Sequence, residues 1–233
     1  MKLRILLISR RIVAAMVVFL LLAAMMQVSD SYARFRWEKE IFLPGLEGKT
    51  VIIDPGHGGA DPGAVSGRYR ESDLNMEIAM VLKRQLEDNG VKVKLTRDYD
   101  EGLVPEKKMT YFEQWTNLRE RKKFAAEEKG HLLLSIHTNS HRDPRVSGAI
   151  VFYADEISAG LAAEIQDKLN TLGLKKREAE KKNFLVIKDN PMPAVLIETG
   201  FITNEHDRET IISSKGSVAR LIYEALDNYY QEK

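Results

Sequence analysis

The chain contains no cysteine in 233 residues. Disulfides and thiolate metal sites are therefore excluded, and any bound metal must be held by imidazole nitrogens and carboxylate oxygens. An excess of either charge is also lacking. Lys and Arg number 35 against 34 Asp and Glu, a formal net charge of +1, which gives no electrostatic reason to expect nucleic acid. No internal repeat occurs, so a solenoid is excluded. There is no Gly-x-Ser-x-Gly elbow and no His-Glu-x-x-His helix, which disfavours a serine esterase or a zincin. Gly48-Lys49-Thr50 imitates the end of a phosphate-binding loop, but Leu43 occupies the place of its first glycine and the segment precedes a strand instead of following one.

What is present suits one well-cored domain: 44% of residues are hydrophobic and 30% charged. Ahead of it, Lys2, Arg4, Arg10 and Arg11 precede an apolar run from Ile12 to Val28. This charge order is that of a secretory signal or a membrane anchor. Ser31-Tyr32-Ala33 offers small residues at a cleavage-like spacing, while the run is nearly long enough to span a bilayer. The expectation is an exported protein with a signal or anchor over 1–33, a tether over 34–48 and the domain over 49–233.

Within the domain, Thr50 to Asp54 reads as a first strand, and Ser72 is placed to cap a helix carrying Leu74, Ile78, Val81, Leu82 and Leu86. Val91, Val93 and Leu95 alternate with lysines into a second strand. Residues 98–115, polar with Tyr99, Tyr111, Phe112 and Trp115, read as a loop beside a cleft, and a helix is expected from Asn117 to Lys129. His131 to His137 and Ser147 to Tyr153 are further strands, and Ile157 to Leu172 keeps helical spacing. The mixed charge run Lys175 to Lys182 reads as a solvated face. Asn183 to Lys188 and Ala194 to Glu198 read as two short strands around the Pro191-Met192-Pro193 turn, and a last helix carries Val218, Leu221, Ile222, Ala225, Leu226 and Tyr229. The alternation predicts an α/β fold: a single domain with a mixed, roughly six-stranded sheet flanked by helices.

Chemistry collects at the strand ends. Asp54-Pro55-Gly56-His57-Gly58-Gly59, Leu134-Ser135-Ile136-His137 and Ile197-Glu198-Thr199-Gly200 each close an apolar run with a residue able to bind metal or move a proton. In open α/β sheets the carboxyl ends of strands supply the ligand crevice, so the endings are expected to converge as a hydrolytic site. Pro55 and the glycines allow a sharp turn that exposes His57. Glu198, ending Ala194-Val195-Leu196-Ile197, is expected to be partly buried, which invites a metal-bound water or a raised pKa. Glu71 falls between the first strand and the first helix, where a loop could bring it back over the strand end.

These motifs, with Glu71, Ser135-Ile136-His137-Thr138-Asn139 and Glu198-Thr199-Gly200-Phe201 in that order, resemble the zinc-dependent N-acetylmuramoyl-L-alanine amidases. The similarity runs from about Lys49 to Asp227. It implies that His57, Glu71 and His137 bind Zn2+ and that Glu198 is the catalytic carboxylate. The bond implied is the peptidoglycan amide between the lactyl group of N-acetylmuramic acid and L-alanine. A short chain with an N-terminal membrane segment is similar in layout to the germination-specific, spore-cortex (CwlD-like) subgroup, which makes muramic-δ-lactam together with a deacetylase. The family pattern also departs here: Ala126 stands where many relatives carry asparagine, although Arg121 matches, and no wall-binding repeats flank the domain. Two rival expectations remain: a wall-binding module with little activity unless a protein partner helps hold the metal, and a zinc peptidase cleaving another wall peptide bond.

Overall fold

The computed structural model describes residues 45–97 and 111–231, with side chains of the second segment from Asn117 onward. The N-terminal segment expected to be a signal or anchor, most of the tether, and residues 98–110 of the loop expected over 98–115 lie outside the described residues. Among the described residues no helix is long and apolar enough to cross a membrane.

Three apolar runs make the centre of the sheet: β1 (Thr50–Pro55), β5 (Leu132–Asn139) and β8 (Ala194–Phe201). Val51 to Ile53, Leu132 to Leu134 and Ala194 to Ile197 are buried, as expected of parallel strands covered on both faces. With β4 (Lys92–Leu95), β6 (Ile150–Tyr153) and β7 (Glu180–Lys181) they form one sheet in the order β4-β1-β5-β8-β6-β7. The first four strands in that order run parallel, and β6 turns antiparallel against β8. From β1 the chain passes outward to β4 and then returns to lay β5 on the other side of β1. The strand order thus reverses between β1 and β5, where α/β sheets open a crevice at the carboxyl ends.

Helices cover both faces. On one, α1 (Glu71–Glu87) packs against β1 and β5, and α5 (Lys215–Gln231) lies against both α1 and α3 (Glu156–Leu169). On the other, α2 (Tyr111–Glu127) contributes Ala125 to a core with Ile52, Leu133, Leu196, Val186 and Ile187. The period of two along a strand puts Ser135 and His137 on the Leu133 side of β5, and Glu198 on the Leu196 side of β8. A short hairpin, β2 (Val65–Ser66) with β3 (Tyr69–Arg70), leads into α1, and α4 (Glu205–Ser213) precedes α5.

The mixed six-stranded sheet and flanking helices agree with the expected fold class, and several local expectations change. Asn183 to Lys188 is a turn, not a strand: the amides of Ile187 and Lys188 both donate to the Phe184 carbonyl. The sixth strand is instead Glu180–Lys181, inside the charge run, paired with Phe152 and Tyr153. Charged residues suit such an edge because they discourage further strand pairing. α1 begins at Glu71 rather than after a Ser72 cap, because the amides of Glu71 and Ser72 already donate to the carbonyls of Ala64 and Pro62. α2 starts at Tyr111, earlier than expected, so the stretch from Tyr111 to Trp115 is helical rather than loop.

Candidate active site

β1 and β5 pair through Pro55 and Ile136, and β5 and β8 through His137 and Glu198. The endings expected to converge therefore lie side by side. Past β1, the Pro55–Gly63 segment doubles back, with Gly58 and Asp61 exchanging backbone hydrogen bonds of 2.8 and 3.1 Å. Glycine is required here for space. A Cβ on Gly56 would stand 2.2 Å from the His137 ring, and one on Gly63, at φ +65°, would stand 2.6 Å from Glu71 Oε2 and 2.8 Å from the His57 ring.

The turn brings His57 over the strand ends, and the start of α1 brings Glu71 back to it. Glu71 Oε1 is 3.1 Å from His57 Nε2 and 3.0 Å from His137 Nδ1. One ligand atom from each of His57, Glu71 and His137 fits within 4.8 Å, a group able to hold a metal ion. Glu71 is buried and held from behind: the Ala64 amide donates to Oε2 at 2.9 Å and the Thr138 amide to Oε1 at 3.2 Å. Thr138 is itself held by Asn75 and Thr199, each 3.1 Å from its hydroxyl.

Charge states follow from these contacts. Burial works against an imidazolium at His57, but the hydrogen bonds to Asp61 and Glu71 outweigh it and push its pKa up to about 10. Burial raises the Glu71 carboxyl, yet His137 and His57 hold it well below the usual range. Positive charge is thus stabilised between the carboxylates, as a divalent cation requires. Glu198 behaves oppositely. Burial pushes it up to about 7, against the opposing influence of His137, and Oε2 has no hydrogen-bond partner among the described residues. Its cleft, of about 400 Å³, is shared with His57, His137, Arg121, Leu118, Phe184 and Val186 among others.

Sequence reasoning did not assign Asp61 a role, and it noted Arg121 only as a match to a family pattern. Arg121 is buried and its guanidinium spans the turn: Nη1 donates to Asp54 Oδ1 and to the Pro55 carbonyl, each at 2.8 Å, and Nη2 donates to the His57 carbonyl at 2.5 Å. Asp54 also accepts from Ser135 Oγ at 2.6 Å. Burial raises Asp54, but the Arg121 charge and these hydrogen bonds hold it below the ordinary carboxylate value. Arg121→Met should leave Asp54 buried without its counter-charge and lower unfolding free energy by about 3–5 kcal/mol. Urea titration checks this, and a loss under about 1 kcal/mol would remove Arg121 from the frame of the site.

An α/β sheet carrying two imidazoles, a carboxylate and a second carboxyl whose pKa is raised by burial, at the crevice of its strand reversal, has the arrangement of a hydrolase. A family profile described as N-acetylmuramoyl-L-alanine amidase (Amidase_3) matches residues 51–228, and the chain belongs to that family. It is 34% identical over 195 residues to the germination-specific N-acetylmuramoyl-L-alanine amidase of Bacillus subtilis (strain 168), covering 81% of this chain and 82% of that one. It is also 34% identical over 191 residues to the amidase LytC of the same strain, covering 79% of this chain but 36% of LytC. Among solved structures, the CwlD amidase from Clostridioides difficile in complex with the GerS lipoprotein superposes with a TM-score of 0.73 at 32% identity, over 79% of this chain and all of that one.

Proposed function

We propose that this amidase is zinc-dependent, with His57, Glu71 and His137 holding the metal and Glu198 moving the protons. The observation that carries the reading is the buried Glu198 Oε2, without a hydrogen-bond partner among the described residues, in the cleft lined by His57 and His137 of the cluster they form with Glu71. Two imidazole nitrogens and one carboxylate oxygen form a donor set known for catalytic zinc. Zinc bound there would supply a Lewis acid for the scissile carbonyl and make a water acidic enough to act near neutral pH.

The remaining steps belong to the chain. Glu198 takes a proton from the attacking water and passes one to the leaving amine of L-alanine as the carbon–nitrogen bond breaks. In the metal-free protein burial pushes its pKa up to about 7; a cation held by the cluster would lower it, favouring the carboxylate that accepts the first proton. Leu118, Val186 and Leu196 wall the cleft and limit competing water around the carboxyl. Zinc measured by elemental analysis of the purified full chain should approach one per molecule. Less than about a tenth after incubation with excess zinc would contradict the reading.

The domain occupies residues 49–233, after a signal or retained anchor over 1–33 and a tether over 34–48. The basic N-terminal flank and apolar run support export to the wall with a membrane tether. Membrane fractionation and N-terminal sequencing distinguish retention from cleavage, and a mature terminus near Arg34 contradicts the tether. The germination-specific relative supports a spore-cortex role, in which the product leads to muramic-δ-lactam. The neighbour's complex with a lipoprotein supports assistance by a protein partner.

Metal-free, the protein should show the signature of a half-buried Glu198 whose pKa is raised. Its native pKa lies above that of the unfolded chain, so the native state binds the extra proton between pH 4.5 and about 7. The associated stability is complete below pH 4.5 and is lost as pH rises through about 7. Glu198→Gln removes that titration. The melting temperature of the variant relative to the parent, both metal-free, should therefore increase from pH 5 to pH 8, and a constant difference would contradict the raised pKa.

A further inference from the structure

Asp61 neither lies in the three-residue metal cluster nor faces it across the cleft as Glu198 does, yet every polar group it has is engaged within one turn. Its carbonyl and amide pair with Gly58, Oδ1 accepts from the Gly63 amide at 3.0 Å, and Oδ2 accepts from His57 Nδ1 at 2.8 Å. His57 sits at φ +62°, a left-handed conformation unfavourable for a residue with a Cβ. The bonds around Asp61 hold the turn in that conformation. Both side chains are largely covered, His57 at 26% and Asp61 at 21% exposure.

The chemical consequence concerns which nitrogen of His57 carries a proton. A neutral imidazole free in water prefers its proton on Nε2. In this turn Nε2 is the nitrogen that faces Glu71 Oε1 at 3.1 Å, and a metal ligand must present a lone pair there. When the ring gives up one of its two protons, a carboxylate accepting from Nδ1 reverses the preference, keeping the remaining proton on Nδ1 and leaving the Nε2 lone pair free. His137 has no such arrangement, for its Nδ1 is the nitrogen turned to Glu71. Its ring is placed by packing on Gly56.

We propose that Asp61 is a positioning residue that fixes His57 in its Nδ1–H form, aims Nε2 into the cluster and thereby sets the metal affinity of the whole site. The inference rests on the reading of His57 as a ligand. Zinc affinity is measured on the full chain by competition with a chromophoric chelator for the parent, Asp61→Ala and His57→Ala, with folding checked by circular dichroism. Asp61→Ala should bind zinc about 10–100-fold more weakly. A second measurement needs no Asp61 variant: nitrogen NMR of the zinc-loaded parent, with His57 resonances assigned by loss in His57→Ala, should show a protonated Nδ1 and a metallated Nε2.

Affinity of Asp61→Ala within twofold of the parent, or a His57 ring metallated through Nδ1, would overturn the proposal. If His57→Ala binds zinc as tightly as the parent, the assignment of His57 as a ligand falls, and the inference with it. If His57→Ala loses zinc while Asp61→Ala keeps it, the ligand reading stands and only the role of Asp61 fails.

Discussion

Glu198→Gln is expected to lower turnover by about 10²–10⁴ while zinc stays in place, because a carboxamide keeps the size of the side chain but cannot accept a proton. The structure makes this a clean substitution. Among the described residues Glu198 Oε2 has no hydrogen-bond partner to lose, and burial already favours the neutral carboxyl over the carboxylate, so a neutral amide is tolerated in the fold. Zinc content and turnover should be measured on the same preparation. A zinc-loaded variant with near-normal turnover would rule out Glu198 as the proton carrier. Zinc-free, inactive protein would instead make Glu198 a ligand.

Glu71→Ala should abolish stoichiometric zinc and reduce activity to background, since a site with three protein ligands cut to two holds metal poorly. The loss should exceed that from any peripheral residue, because Glu71 Oε1 lies within about hydrogen-bonding distance of both imidazoles, 3.1 Å from His57 Nε2 and 3.0 Å from His137 Nδ1. His57→Ala and His137→Ala should behave alike. Substitutions of His131, His141 and His206 serve as controls. His131 Nδ1 accepts from the Thr50 amide, and His141 and His206 are exposed with contacts to backbone of their own surroundings. Stoichiometric zinc in Glu71→Ala would remove that carboxylate from the ligand set.

The sequence made β1, β5 and β8 legible because strands buried on both faces are continuous apolar runs, and a polar residue ending such a run is conspicuous. Their convergence followed from the rule for open α/β sheets, and β5 lies between its two partners in the sheet. Glu71 was different: from the residues alone it was a loop carboxylate, and only the ordered motifs of a family singled it out. Its position depends on the β2–β3 hairpin and on the Ala64 and Thr138 amides, a tertiary arrangement without a local signature.

Asp61 and Arg121 were obscure for a related reason. Each works on the backbone and ring of a turn brought together by folding, Arg121 across 64 residues to the His57 carbonyl. Pro55 and the glycines at 56, 58 and 59 indicated a sharp turn, but not that Asp61 would meet the histidine. The segment Asn183–Lys188 misled because its apolar residues imitate a strand. The turn instead buries Val186 and Ile187 in the core while Phe184 lines the cleft. Local periodicity cannot distinguish those uses.

The most direct test is to incubate the purified full chain with a defined muropeptide, with and without a metal chelator, and to weigh the products. The account predicts a released peptide with L-alanine at its N-terminus and a glycan fragment that retains the lactyl carboxylate, both suppressed by the chelator and restored by zinc. Cleavage inside the peptide, or the same products undiminished after verified removal of the metal, would contradict it.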